Sequence, residues 1–156
     1  MLVVRDAVID DAASIAALLK PYVEKKNLLH RSLEEIRANI DKTIVVVEDE
    51  RIVGTTSLVF FSPTLCEVRA LVVAEDLQRG GVGRLLVEAA EEKAQQMRTT
   101  RPLRVFALTY TPEFFERLGY ARTTKDRFPE KIYEVCRFCL RKDDCHEIAV
   151  EKIFSV

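Results

Sequence analysis

The chain has 156 residues, of which 48% are hydrophobic and 31% charged, so it can bury a core and is too apolar for a disordered protein. Its 24 basic and 25 acidic residues leave a formal net charge of -1, which argues against nucleic acid or an anionic membrane as a partner. No apolar run approaches the ~20 residues that span a bilayer, and no secretory signal is visible, so we expect a cytoplasmic protein.

The N-terminal part of the sequence predicts a strand followed by two helices. Leu2 to Arg5 forms a short apolar strand. A helical pattern begins at Asp10, with apolar residues recurring on one face. Ser32-Leu-Glu-Glu35 is a capping box, in which hydroxyl and carboxylate each satisfy a free backbone N–H, and the second helix then runs to about Asn39.

A β-hairpin is predicted next. Thr43 to Glu48 is rich in β-branched residues, Asp49 to Arg51 is a turn, and Ile52 to Phe60 is the returning strand. Gly54 interrupts this second strand, where it indicates a bulge or a close backbone approach.

The following segments alternate between strands and helices. Cys66 to Val73 is a strand, Val82 to Met97 has the strongest helical periodicity in the chain, and Leu103 to Leu108 is another strand. Pro112 to Leu118 is a short helix with Gly119 just past its end.

The element order β-α-α-β-β-β-α-β-α-β predicts the fold class. It is typical of an α/β protein of α+β type, in which helices cover a mixed sheet, and it excludes a helical bundle or a β-sandwich. We expect one domain over residues 1–156, with residues 130–156 as a cysteine-containing C-terminal segment.

A glycine-rich loop between the strand ending at Val73 and the helix starting at Val82 carries the chemistry. Its glycines let a ligand approach the backbone, and the free N–H groups of the helix start suit an anion such as a pyrophosphate. Arg79 and Arg84 add positive charge. Glycine-rich turns before helices are also common without any ligand, and neither the nucleotide-triphosphate nor the dinucleotide pattern is present.

The spacing Gln78-x-x-Gly81-x-Gly83 resembles the pyrophosphate-binding signature of the GNAT superfamily of acetyl-CoA-dependent N-acetyltransferases. The resemblance implies the GNAT acyl-CoA N-acyltransferase fold, a central mixed sheet flanked by helices, with acetyl-CoA as co-substrate. The implied contacts to acetyl-CoA are Leu71, Val72, Val73, Gln78, Arg79, Gly80, Gly81, Val82, Gly83, Arg84 and Phe115.

Other segments, including Glu67-x-Arg69-x-Leu71-x-Val73 and Ala107-Leu-Thr109, resemble the acetyltransferase domain of bacterial N-acetylglutamate synthases. That resemblance implies acetyl transfer to the α-amine of glutamate, the first step of arginine synthesis. Another small amine or a protein N-terminus is an alternative acceptor, and a non-catalytic acetyl-CoA-binding module is an alternative class. The near-neutral charge and two arginines, Arg31 and Arg69, favour an acidic small molecule as substrate.

Four polar residues are candidates for the acceptor site. Glu67 is the candidate base that removes the proton of the acceptor ammonium, although it could equally be a surface carboxylate. Arg69 lies two residues on, where it binds a substrate carboxylate or pairs with Glu67. Arg31 and Lys131 are further candidates for the substrate carboxylate, each with a solvated surface charge as the alternative.

The general acid is less clearly indicated. Phe115 stands where many GNAT enzymes have a tyrosine, and a phenyl ring cannot donate a proton. Tyr110 or Thr111 in the preceding loop, or water, could act instead, and a thiolate could also leave unaided.

The C-terminal segment contains Cys136, Cys139 and Cys145, which are metal-ligand types. A structural zinc ion and reduced thiols packed as small hydrophobes are the two interpretations. Cys66 is most simply a strand residue. A homodimer is expected only because the superfamily often forms one.

Overall fold

The computed structural model describes residues 1–25, 31–78, 80–134 and 147–155, with residues 132–134 described by their backbone alone. The chain folds into two units, the first consisting of Met1–Val59 and Val68–Gln96, and the second of Phe60–Glu67 and Met97–Val156. Within the described residues, no helix is both long and apolar enough to cross a membrane.

The first unit contains four adjacent strands in the order β1-β2-β3-β4. Their bounds are β1 Leu2–Asp6, β2 Thr43–Glu48, β3 Arg51–Ser62 and β4 Leu65–Val73. β1 pairs with β2, and β2 with β3, both antiparallel. The predicted hairpin over residues 43–60 is therefore confirmed.

Three helices accompany these strands, α1 Ala12–Glu24, α2 Leu33–Ala38 and α3 Val82–Met97. Single 3-10 turns lie at Ile9–Asp11, Ile40–Lys42 and Glu75–Leu77. The capping box before α2 is confirmed: the Ser32 hydroxyl accepts from the Glu35 amide at 3.1 Å, and the Glu35 carboxylate accepts from the Ser32 amide at 3.2 Å. One apolar cluster joins α1, α2, β2 and β4 through Ala7, Ala12, Ile15, Leu19, Ile36, Val45 and Val72.

An ion pair ties β1 to the start of α1. Arg5 donates to both carboxylate oxygens of Asp11, at 2.7 and 3.0 Å, and the Val8 amide donates to the same carboxylate at 2.7 Å. These bonds, that from the Arg5 guanidinium above all, hold the pKa of Asp11 below its usual range. Arg5 and Asp11 therefore have a structural role.

The second unit contains the first residues of β4 and the elements β5 Leu103–Thr109, α4 Pro112–Glu116, β6 Ala121–Thr123, α5 Pro129–Glu134 and β7 Ile148–Phe154. A 3-10 turn lies at Lys125–Arg127. β4 pairs with β5 in parallel, and β5 pairs with β7 and β7 with β6 antiparallel. The predicted mixed sheet with helices is therefore confirmed.

Stacked aromatic rings form the core of the second unit. The rings of Phe106 and Phe128 are 4.0 Å apart and nearly parallel, and Leu65 and Ala149 pack in the same cluster. The sequence predicted one strand after α4, whereas the structure has β6, α5 and β7. β6 has three residues and α5 six, and so neither is long enough to show a periodic pattern.

Gly54 brings β3 against the first turns of α3. A Cβ built at Gly54 would lie 2.8 Å from Val82 Cγ1 and 2.9 Å from Leu86 Cδ1, closer than real Cβ contacts. The β2–β3 register also shifts at this point, with Val46 opposite Gly54 and Val47 opposite Ile52. The predicted bulge therefore occurs, and the close approach to the Gly54 backbone is made by side chains of α3.

We predict that Gly54→Ala destabilises the protein by ~1–3 kcal/mol, because the added methyl overpacks the contact between β3 and α3. Urea unfolding measures the change. In a Val82→Ala background the same substitution should cost less, since one of the two obstructing side chains is gone. Equal costs in both backgrounds would contradict the clash as the cause.

Candidate functional site

The connection from β4 to α3 is closed by its own backbone hydrogen bonds. The Ala74 amide donates to the Val53 carbonyl at 2.8 Å and so fixes the end of β4 to β3. Leu77 N–H then donates to the Ala74 carbonyl, and Gly80 N–H to the Leu77 carbonyl. The segment that precedes α3 is therefore a tight, defined turn.

Gly81 completes this turn in a conformation that favours glycine. Its φ is +88°, in the left-handed region, and, its two chain neighbours aside, no atom of the described residues lies within 4 Å of where its Cβ would be. Its carbonyl accepts from the Leu85 amide and thereby opens α3. The first N–H groups of a 16-residue helix thus follow an exposed turn with open space, which suits an anion.

The two arginines predicted to add positive charge to this loop are Arg79 and Arg84, and the structure describes only Arg84. Arg84 is exposed and pairs with Glu88 one helical turn later, at 3.2 Å, an arrangement of small energetic value. Arg79 lies outside the described residues. An anion site in the described part of the loop would therefore be formed by the backbone of the turn.

Gln78, the first residue of the motif, is bonded to the protein's own polar groups. Its side-chain amide donates to the Tyr22 hydroxyl at 2.5 Å and to the Val73 carbonyl at 3.3 Å. The Tyr22 hydroxyl in turn donates to the Val73 carbonyl at 2.5 Å. Nothing in the sequence distinguishes Tyr22, because it follows Leu18 and Leu19 at helical spacing and resembles another core position.

The middle of β4 departs from regular strand geometry. Ala70 has a φ of +55°, uncommon for a residue with a side chain. The carbonyl before it, that of Arg69, accepts from Thr56 Oγ1 at 3.0 Å and Ser57 Oγ at 3.4 Å. The regular alternation of a strand is therefore interrupted at Ala70, which is only half-buried.

A small pocket of about 30 Å³ lies beside this irregular residue. Its lining includes Ala70 and the predicted substrate residue Arg31, together with hydroxyl side chains of β3. This space holds about two water molecules, which is the size of a carboxylate group. The residues around it are Ile15, Leu19, Arg31, Glu35, Ile36, Asn39, Thr43, Thr55, Thr56, Ser57 and Ala70.

In the second unit, the structure brings together two predicted site residues. Lys131 Nζ donates to Glu67 Oε2 at 2.5 Å, and the residues are 8% and 3% exposed. Each group supplies the opposite charge that makes burial of the other tolerable. The ion pair considered for Glu67 was one with Arg69, whereas the structure pairs Glu67 with Lys131. The alternative interpretation of Glu67 and Lys131 as surface charges is wrong, because both are buried.

Tyr110 and Thr111, the residues considered for acid catalysis, directly follow β5, and Phe115 lies in α4. Tyr110 is 45% exposed, and the Thr111 amide donates to Thr109 Oγ1 at 2.9 Å. Phe115 is buried at 3% exposure between Phe114 and Tyr120, whose rings meet it edge-on at 5.1 and 5.2 Å. Phe115 thus packs in the core of its unit, and its contact with a cofactor stays a prediction.

Within the described ranges, no group of three or more His, Cys, Asp and Glu side chains is arranged to hold a metal ion. Cys136, Cys139 and Cys145 lie outside those ranges, so the zinc hypothesis stays a prediction. Cys66 is buried in β4, as expected for a strand residue.

Comparison with known proteins agrees with this geometry. The model of the acetyltransferase (GNAT) domain matches residues 10–135. An uncharacterized N-acetyltransferase from Chlorobaculum tepidum is 35% identical over 149 residues, covering 96% of this chain and 94% of its own. An amino-acid acetyltransferase from Neisseria meningitidis is 33% identical over 129 residues, 81% of this chain but 29% of the relative.

Solved structures extend the comparison to the fold. N-acetylglutamate synthase from Neisseria gonorrhoeae, complexed with coenzyme A and N-acetyl-glutamate, has a TM-score of 0.84 and 27% identity over 100% of this chain and 36% of that chain. A Mycobacterium tuberculosis protein in complex with CoA has a TM-score of 0.80 over 99% of both chains; at 23% identity it supports the fold alone. The chain spans about a third of the gonococcal enzyme, and it belongs to the GNAT family of N-acetyltransferases.

Proposed function

We propose that this acetyltransferase moves the acetyl group of acetyl-CoA to the α-amine of an amino acid, with glutamate as the preferred acceptor. The observation that carries the proposal is the exposed Gly81 turn at the start of α3, directly after β4. The amino-acid acetyltransferase from Neisseria meningitidis and the gonococcal N-acetylglutamate synthase support the choice of acceptor.

The pyrophosphate of acetyl-CoA would lie at the Gly81 turn. The space where a Cβ would stand is open, and so phosphate oxygens can reach the N–H groups of the first turn of α3. The positive end of the helix dipole lies at the same place and favours the negative charge. The backbone of Leu71 to Val73 would bind the arm that carries the thioester.

The acceptor's carboxylate would be bound by arginine. Arg31 lines the pocket beside Ala70, and a guanidinium offers paired N–H donors that match a carboxylate. Arg69 is next to Ala70 in β4 and is the second candidate. A pocket that fits one end of a molecule would bind a carboxylate while the amine remains outside it, toward the thioester.

The chemical step begins with an amine that has lost its proton. An α-ammonium is mostly protonated at neutral pH, so a base must take one proton, and Glu67 is our candidate. The nitrogen then attacks the thioester carbon, the carbonyl oxygen becomes an oxyanion, and a backbone N–H of β4 stabilises it. The nitrogen then gives its second proton to water, the carbonyl re-forms as the C–S bond breaks, and the leaving CoA thiolate accepts a proton from water, Tyr110 or Thr111.

The first prediction from the proposed function concerns the identity of the acceptor. Purified protein with acetyl-CoA should release CoA thiol rapidly with glutamate, more slowly with glutamine, and at the blank rate with polyamines. Arg31→Ala should raise the KM for glutamate at least tenfold, since a charge-assisted hydrogen bond contributes ~1.5–3 kcal/mol, and leave the KM for acetyl-CoA unchanged. A thiol-reactive dye monitors the reaction.

Each contrary result has a distinct meaning. Rapid release with a different amine would contradict glutamate as acceptor and keep acetyl transfer. No release with any amine, while CoA still binds, would favour a protein acceptor or a binding module.

The second prediction concerns the loop. Gly81→Asp should reduce CoA affinity more than a hundredfold, because its carboxylate would face the pyrophosphate. Gly81→Asn is the matched control: the side chain has nearly the same shape, has no charge and tolerates positive φ, so we expect a loss of less than tenfold. Isothermal titration calorimetry with CoA measures both, and equal affinities would contradict the placement of the pyrophosphate.

The third prediction separates the two roles of Glu67. If Glu67 is the base, Glu67→Gln should lower kcat by about 10²–10⁴-fold with little effect on CoA affinity. Lys131→Met removes the buried ammonium that donates to Glu67, so it should lower the free energy of unfolding by ~3–5 kcal/mol. The two substitutions together should restore part of that stability.

Steady-state kinetics and urea unfolding on the same three variants provide the measurement, at a temperature where all remain folded. A Glu67→Gln variant with unchanged kcat would show that the carboxylate serves the ion pair alone.

A further inference from the structure

Helix α1 reaches the cofactor loop through one side chain. Tyr22 lies in the last turns of α1, and its hydroxyl contacts two groups of the β4–α3 connection. It donates to the Val73 carbonyl at the end of β4 and accepts from the Gln78 amide four residues before α3 begins. All three residues belong to the first unit, together with Gly81.

The three groups form a closed triangle of hydrogen bonds. Gln78 Nε2 also reaches the Val73 carbonyl, at 3.3 Å, so that carbonyl accepts from two donors. Burial above all raises the pKa of Tyr22 above its ordinary value, against the opposing effect of the Gln78 hydrogen bond, so the hydroxyl keeps the proton that it donates. The triangle fixes both where β4 ends and how the chain turns toward Gly81.

We propose that Tyr22 is a positioning residue for acetyl-CoA, which acts through Gln78 and Val73 and touches no reacting atom. This inference rests on the proposed function, because it assumes that CoA binds at the Gly81 turn. By holding the Gln78 side chain against α1, Tyr22 keeps the turn in the shape that presents the N–H groups of α3.

The geometry also indicates what Gln78 does. Its side-chain amide donates to Tyr22 and Val73, both of them protein groups, so the glutamine of the motif serves to shape the loop. A loop that already has its binding conformation loses less conformational entropy when the ligand binds.

Tyr22→Phe tests the inference, since it removes only the hydroxyl. We expect the Kd for CoA to rise about two- to tenfold, the equivalent of one net hydrogen bond of ~0.5–1.5 kcal/mol. The KM for acetyl-CoA should rise in parallel, while kcat and the KM for the acceptor stay unchanged. The double variant Tyr22→Phe/Gln78→Ala should bind CoA with the same Kd as Gln78→Ala alone, because both side chains act through the same hydrogen-bond triangle.

Lys25→Met is the matched control. Lys25 lies one turn beyond Tyr22 and pairs with Glu75 of the same connection at 2.8 Å, but the pair is exposed and contributes little. We expect a wild-type Kd. If Tyr22→Phe changes the Kd less than twofold, or lowers only the melting temperature, the proposal is overturned.

Failure of the proposed function gives a different pattern. Wild-type protein would then bind no CoA, or Gly81→Asp would bind it normally. A wild-type protein that binds CoA and a Gly81→Asp variant that does not, together with an unaffected Tyr22→Phe, would overturn only the role of Tyr22.

Discussion

The contact between β3 and α3 at Gly54 places the helix start on which the candidate cofactor site depends. Side chains of the first two turns of α3, Val82 and Leu86, occupy the volume that any larger residue at position 54 would need. The helix therefore begins directly over the backbone of β3, while the Ala74 amide binds Val53 in the same strand. With both ends of the β4–α3 connection tied to β3, the turn at Gly81 has little freedom, and a rigid turn is what an anion site of backbone N–H groups needs.

Much of this organisation could be predicted from the sequence, because the elements concerned have strong local patterns. The β-branched run of β2, the capping box before α2 and the long amphipathic repeat of α3 each indicate their element, and Gly54 indicates a bulge or close contact. The glycine spacing of the loop was informative for a related reason. A positive φ is energetically unfavourable for residues with a side chain, so a glycine at position 81 indicates a turn that needs this conformation.

The features that could not be predicted depend on tertiary contacts. Alanine has no special preference for positive φ, and so nothing in the sequence distinguishes Ala70 from its neighbours in β4. The pairing of Glu67 with Lys131 joins residues 64 positions apart, and the sequence offered Arg69, a near neighbour, as the obvious cation. The Tyr22 hydroxyl donates to the carbonyl of Val73, 51 positions later in the sequence, whereas the spacing of Tyr22 in α1 indicated only a core position.

The predicted roles divide between the two units in a way that follows from β4. The first unit contains the residues that would bind acetyl-CoA or the acceptor carboxylate, namely Arg31, Arg69 and the Gly81 turn. The second unit contains Glu67, Lys131 and Tyr110. β4 contributes to both groups within seven residues, from the candidate base at Glu67 to the Val73 carbonyl. The backbone of β4 accepts hydrogen bonds from hydroxyl groups at Arg69 and at Val73, which are candidate acceptor and cofactor residues. The contacts proposed for the acceptor carboxylate and for acetyl-CoA in the first unit would need a fixed β4, and polar side chains of β3 and α1 hold the strand at its irregular middle and at its end.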